Sequence, residues 1–469
     1  MGDKPNAATR RCSEAAGRWT CPSHGGGSST GRVGRRRNLG AAITFDSTRR
    51  ACYAGYVTQA IVNNLAPLLF IVFQTRYDVP LEMLGRLVLL NFATQLLTDI
   101  VAARVVDRTG YRGPLVLAHV LCVLGLVLLA VAPVVLASPY TGLSCAVVVY
   151  AIGGGLLEVL VSPVVDALPV PSEAKAAQMS LLHSFYCWGQ VAVVAGTTLT
   201  LALVGQASWY VLPPVWALVP LANMVLFLRV PMPATVPDEH RTPLRALLRA
   251  PAFATAIVLM LCAGAAELTM SQWSSLFAEE GLGVSKVWGD LAGPCLFAVL
   301  MGIGRVAYGL WGARFPLAPA LVCCGALATG CYLVAALASS PAVSLIGCAL
   351  CGLAVSLLWP GTFSLAAARF PLGGAAMFGV LAVFGDAGGA SGPWIAGAVA
   401  QAADAGGGFL HDLAGLLPAG GDSLRAGLLI GTAFPLAIVV VAQVYAAAVR
   451  RHGASAGMLR PEGTPETGL

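Results

Sequence analysis

From residue 51 onward the chain alternates apolar runs of about 20 residues with short polar breaks. A helix rising about 1.5 Å per residue needs that many apolar residues to cross a hydrocarbon layer of about 30 Å. The pattern predicts helices near 53–74, 82–105, 114–136, 142–166, 178–204 and 208–228. It predicts six more near 252–278, 286–312, 317–338, 341–367, 373–400 and 426–448. Between the two sets lies a polar linker, 230–251, with Asp238, Glu239, His240, Arg241, Arg245 and Arg249. In lipid every backbone polar group must be satisfied within the segment, so runs of this length fold as helices. Residues 1–50 are rich in Gly, Ser and Arg and have no periodicity, which predicts a disordered basic tail; 450–469 reads as a second tail.

Composition sharpens this picture. Hydrophobic residues make up 57% of the 469 and charged residues 11%, with a mean hydropathy of +0.78. A water-facing globule carries about 25% charged residues, so a soluble enzyme and a disordered chain are both excluded. The net charge of +6 comes from 28 Lys and Arg against 22 acids. With the N-terminus inside, 24 of the 28 basic residues fall on that side. The positive-inside bias then places both termini in the cytoplasm, and the basic excess needs no nucleic-acid partner. The expectation is a multi-pass protein of the cell (plasma or inner) membrane, surrounded by lipid and monomeric.

No catalytic constellation, cofactor motif or metal site stands out. Gly453-Ala-Ser455-Ala-Gly457 fits the nucleophile-elbow spacing but lies in the tail, not between a strand and a helix. Gly302-Ile-Gly304 has Ala307 where a dinucleotide fingerprint needs its third Gly. The thirteen Cys are an odd number, and Cys348-x-x-Cys351 sits inside an apolar run, where thiols pack as small hydrophobes.

The two sets of six also echo each other. Gly155-Leu-Leu-Glu158-Val-Leu-Val-Ser-Pro163 matches Gly352-Leu-Ala-Val355-Ser-Leu-Leu-Trp-Pro360 at an offset of 197, and Arg108 matches Arg305 at the same offset. Trp188-Gly189-Gln190 matches Phe384-Gly385-Asp386 at 196. Repeated halves place a binding site between them near the bilayer midplane.

The loop after the second run reads Asp107-Arg108-Thr109-Gly110-Tyr111-Arg112. It resembles the D-R-x-G-x-R core of the signature loop of the major facilitator superfamily, with Ala103 in the usual Gly position. Asn63-Asn64-Leu65, the Gly155–Pro163 stretch, Ser180 through Gln190 and Gly264-Ala-Ala-Glu267 resemble the fucose permease and glucose/galactose symporter branch. The resemblance spans roughly 51–450. It implies an all-α integral membrane fold of twelve helices, built as two six-helix pseudo-repeats. It also implies a gate made by Asp107, Arg108, Gly110 and Arg112, with Asp99 and Arg305 assigned to the same group. In the branch pattern an acid follows Asn-Asn-Leu; here Ala66-Pro67 stands in its place, whereas the fourth-helix acid is present as Glu158.

Polar residues inside the runs are the candidate site. A charged acid at mid-helix costs about 2.5–3.5 kcal/mol on insertion scales, so Glu158 and Glu267 are candidate proton carriers as well as solute contacts. Asp386 competes with close helix packing through its neighbouring glycines. Gln59, Asn63, Asn64, Gln190 and Gln272 carry amides that donate and accept, suited to a ligand with many hydroxyls; the alternative is interhelical hydrogen bonding. His183 is a candidate proton relay or a neutral hydrogen-bonding group, and His119 a packing residue. The indoles of Trp273 and Trp359 offer flat faces for a sugar ring, with ordinary packing as the alternative. Together these predict alternating-access transport of a small polar solute, a monosaccharide with a proton. Efflux of hydrophobic compounds and a non-transporting sensor on the same fold are the alternatives.

Overall fold

The computed structural model describes residues 44–236, 240–278, 283, 289, 291–405, 408–418 and 422–458, and every regular element among them is helical. The tail expected over 1–50 lies outside the described residues up to 43. Helix α1 begins before residue 50, spanning Phe45–Leu68 with an Asp46–Arg49 ion pair at 2.9 Å in its first turn. Helix α2 (Phe70–Tyr77) continues it past a break at Leu69. Then follow α3 (Leu81–Thr109), α4 (Arg112–Val135), α5 (Pro139–Asp166), α6 (Ser172–Val204) and α7 (Leu212–Arg229). The linker holds a short helix, α8 (Leu244–Arg249). Beyond it come α9 (Pro251–Leu276), α10 (Leu296–Trp311), α11 (Leu317–Leu337), α12 (Pro341–Val355), α13 (Leu358–Arg369), α14 (Gly374–Asp404), α15 (Phe409–Gly415), α16 (Asp422–Gly431) and α17 (Ala433–Met458).

Among the described residues, eleven helical segments are long and apolar enough to cross a membrane. The first predicted run is not one of them, because α1 carries Asp46, Arg49, Arg50 and the amides Gln59, Asn63 and Asn64 along its length. The polarity that marks α1 as chemically interesting is what lowers its hydropathy. Lys286 and the start of the eighth run lie outside the described residues. The second tail expected from 450 is helical to Met458, with the remainder outside the described residues.

Side chains such as Leu97, Val134 and Leu203 are more than half exposed, as a lipid-facing surface requires. Inside, small residues let backbones touch: an added Cβ at Gly125 would stand 2.5 Å from Tyr150, and one at Gly388 would stand 1.9 Å from the Leu261 carbonyl. Van der Waals contact of this kind substitutes for the hydrophobic drive that lipid removes. The eleven described cysteines are free, and most are buried.

Two of the three repeat matches are equivalent in space. Gly155 of α5 packs on Gln95 and Thr98 of α3, and Gly352 of α12 packs on Phe297 of α10. Gly189 of α6 touches Val57 and Ala60 of α1, and Gly385 of α14 touches Gly264 of α9. The arginine match is not equivalent. Arg108 is exposed one residue from the end of α3, whereas Arg305 is 3% exposed and more than a turn inside α10.

Contacts between helices before the linker and those after it gather at one end of the bundle. There the C-terminal half of α3 meets the N-terminal half of α14, where Gly379 faces Ala103. Likewise the N-terminal half of α6 meets α10: Gly309 lies against Leu181, and the Ser180 hydroxyl donates to the Arg305 carbonyl at 2.8 Å.

Candidate functional site

Above that contact lies a cavity of about 440 Å³ between α1, α3, α5 and α6 on one side and α9, α10, α13 and α14 on the other. Of the residues expected to contact solute, Gln59, Asn63, Asn64, Glu158, His183 and Gln190 line it from the first side. Glu267, Gln272, Trp359 and Asp386 line it from the second. Trp273 does not. Its indole N–H donates to the Pro393 carbonyl at 3.1 Å, and its ring covers Gly397, so α14 packing claims it.

The first wall is a ladder of neutral amides. Gln59 Nε2 donates to Glu158 Oε2 at 3.0 Å and to Gln95 Oε1 at 3.2 Å. Gln95 Nε2 in turn donates to Asn63 Oδ1 at 2.6 Å, and Asn91 Nδ2 donates to the same oxygen at 3.3 Å. Two members, Asn91 and Gln95, carry no family motif, so the sequence does not single them out. They were the polar residues of α3 on a repeat facing α1. Asn64 turns back on its own helix and donates to the Ala60 carbonyl at 2.8 Å. Below the ladder, Tyr56, Ser162 and His183 bring hydroxyls and an imidazole together at 3.0–3.4 Å, tying α1, α5 and α6. His119 lies elsewhere, buried between Leu115 and Asn223, where it joins α4 to α7.

The second wall is ionic. Arg305 Nη2 pairs with Glu267 Oε2 at 3.0 Å, with both side chains largely buried. Its Nε donates to the Ser356 carbonyl at 3.0 Å, and its Nη1 to the His183 carbonyl and Cys187 sulfur. The Ser356 carbonyl is free for this because Pro360 lacks the N–H that would take it four residues on. The run predicted over 341–367 breaks at this point into α12 and α13. Arg305, assigned to the gate from the sequence, lines the cavity with its side chain and accepts from Ser180 at the α6–α10 contact with its carbonyl.

The rest of the expected gate also separates. Gly110 ends α3 at φ +77, a left-handed conformation that a side chain would strain. Arg112 donates to the carbonyls of Phe227, Leu228 and Val230 at 2.7–3.0 Å, capping α7 where the helix leaves carbonyls unpaired. Arg108 is exposed at the end of α3. The Asp107 side chain lies outside the described set. Asp99 sits more than two turns up α3 from this loop and is fully buried.

A bundle of helices long and apolar enough to cross a membrane, enclosing a polar cavity, defines a polytopic membrane protein of the transporter type. Residues 52–393 match the profile of the Major Facilitator Superfamily, and the chain belongs to that family. It is therefore a transporter and not an enzyme. In fold it is similar to the E. coli fucose:proton symporter FucP, at 20% identity and TM-score 0.69, with 85% of this chain and 98% of that one covered. It is also similar to the proton:xylose symporter XylE, at 13% identity and TM-score 0.69, covering 83% and 94%. The human organic anion transporter MFSD10 gives 14% identity and TM-score 0.62, covering 85% and 99%. No curated protein is significantly similar to the chain in sequence.

Proposed function

We propose that the chain is a twelve-helix secondary transporter of the cell membrane that moves a monosaccharide, with a proton, by rocking of residues 51–229 against 252–449. α1 is counted as the twelfth membrane helix, and both termini lie in the cytoplasm. On that orientation the contact between α3 and α14 and that between α6 and α10 close the cytoplasmic side. The observation that carries the reading is the cavity itself, within the 300–1,000 Å³ range of small-molecule sites and lined by amides, carboxyls and one indole face. Glu158 is the proposed proton carrier. Among the described residues its bonded partner is the neutral Gln59, so it can change charge without breaking an ion pair. Glu267 is less suited because a change of its charge would break the ion pair with Arg305. Arg108, Gly110 and Arg112 shape the α3–α4 turn that moves with the first half.

The test is uptake into liposomes carrying the full chain, with a panel of monosaccharides and a pH-sensitive dye outside. One sugar is expected to accumulate and alkalinise the medium, and Glu158→Gln to abolish accumulation while leaving exchange. Accumulation unchanged in Glu158→Gln would exclude Glu158 as carrier, and no response to any sugar would exclude the substrate class. Phe92, Phe297 and Met301 give the same cavity an apolar face, which favours efflux of hydrophobic compounds as the second reading. That reading predicts drug-stimulated, sugar-independent proton movement.

A further inference from the structure

Asp99 of α3 and Asp386 of α14 stand outside both the amide ladder and the ion pair. Asp99 is 0% exposed, and among the described residues neither of its oxygens has a hydrogen-bond donor. Asp386 Oδ2 is also buried without a donor. Gly379 of α14 faces Ala103 of α3, and Asp386 and Asp99 lie about two turns and one turn along the same faces from them, so the two carboxyl groups meet across this contact. Gly155 of α5 closes over Asp99, since a Cβ there would stand 3.0 Å from Oδ1 and from the Gln95 carbonyl.

An ionised carboxylate accepts hydrogen bonds and donates none. Two of them meeting at a helix contact repel, and Asp99, fully buried, loses its hydration without compensation. The surrounding groups do not relieve this. Glu158 of α5 faces both and adds charge of the same sign. Glu267 of α9 is met by Arg305 of α10, whose other donors go to backbone carbonyls and Cys187 of α6. His183 of α6 is engaged by Tyr56 and Ser162. The donor missing between the two aspartates is a single hydrogen atom.

We propose that Asp99 and Asp386 share one proton, forming a proton site separate from Glu158 within the contact that closes this end of the cavity. With the proton present, one carboxyl O–H donates to the other and joins α3 to α14. When the contact opens, both groups hydrate and the proton passes to water. Release of this proton and opening of this end are thus one event. The site goes beyond the proposed sugar transport and does not depend on which solute the cavity takes.

Infrared difference spectra of the full chain in lipid, stepped from acid to alkaline in sodium-free choline buffer, test this directly. A protonated-carboxyl band should be lost on alkalinisation and should shift when the protein carries aspartate labelled with ¹³C at its side-chain carboxyl. Asp99→Asn and Asp386→Asn, whose amides supply the missing donor, should each remove the same band in full, and the double variant should remove no more. A band unmoved by the aspartate label overturns the proposal without any substitution. Half-loss in each single variant means two independent protons and overturns the sharing. Loss of the wild-type band on adding sodium chloride at constant pH means the site binds a cation instead, and also overturns it.

Discussion

On the wall formed by α1, α3 and α5, Glu158 is held by Gln59 at 3.0 Å within a ladder of neutral amides. On the wall formed by α9 and α10, Glu267 is held at the same 3.0 Å by a guanidinium. The two acids occupy the same cavity, but their partners give them different freedoms. An amide can turn to accept from a protonated acid or donate to an ionised one. A buried guanidinium cannot adapt, because removing its anion leaves an uncompensated charge. The contrast supports the proposal that the amide-held acid carries the proton, while the ion pair ties α9 to α10.

The most severe way to break that contrast is Arg305→Met. It strands Glu267 and frees the Ser356 and His183 carbonyls, with an expected loss of about 3–5 kcal/mol of stability. Thermal unfolding in detergent should show a large drop, and adding Glu267→Gln should restore most of it. Glu158→Gln, by contrast, keeps its hydrogen bond to Gln59 and should leave the unfolding temperature nearly unchanged. Equal drops for the two single variants would erase the distinction between the walls.

A smaller effect separates the two repeat-related glycines. An Ala Cβ at Gly352 would stand 2.1 Å from the Phe297 carbonyl, a backbone atom that cannot step aside. At Gly155 the nearest atoms are at 3.0 Å. Gly352→Ala should cost about 1–3 kcal/mol, the usual range for overpacking, and Gly155→Ala the lower part of that range. Unfolding midpoints of the two variants, measured side by side, check the order.

These contrasts show where sequence reading reached and where it stopped. Runs of apolar residues reveal spans because the bilayer imposes their length, and mid-span acids and amides reveal a cavity because burial makes them costly. Position within a helix is harder. Arg305 reads as a gate residue because it matches Arg108 at the repeat offset, yet it is buried where Pro360, 55 residues later in the chain, frees the carbonyl it binds. Trp273 and Trp359 are alike in sequence context, and only the packing of Gly397 and Gly385 separates them. Asp99 reads as part of the gate because it precedes the motif, but a partner on α14 cannot be seen from α3 alone.

Next in size is the ladder itself. Asn63→Ala removes the oxygen that accepts from both Gln95 and Asn91, leaving two amide donors short of a partner. A buried group left unmatched costs about 1–3 kcal/mol, less where cavity water reaches it. Asn64→Ala loses a bond to its own helix at Ala60 and a contact with the Tyr186 hydroxyl, and it strands no buried amide donor, so it should change the unfolding midpoint less. Under the proposed function both should weaken sugar uptake. Asn63→Ala should lower stability more.

The smallest effect sharpens the comparison at the level of single rings. Trp359 faces the cavity and Trp273 faces α14, so conservative replacement should separate them by binding and not by folding. Trp359→Phe should raise the KM for the transported sugar with kcat little altered, because a smaller ring covers less of the solute in ground and transition states alike. Trp273→Phe removes the indole donor to Pro393 and should leave KM unchanged, with a slight fall in unfolding temperature. A KM change in Trp273→Phe equal to that in Trp359→Phe would place the solute nearer α9 than the cavity allows and would move the binding site away from the indole of α13.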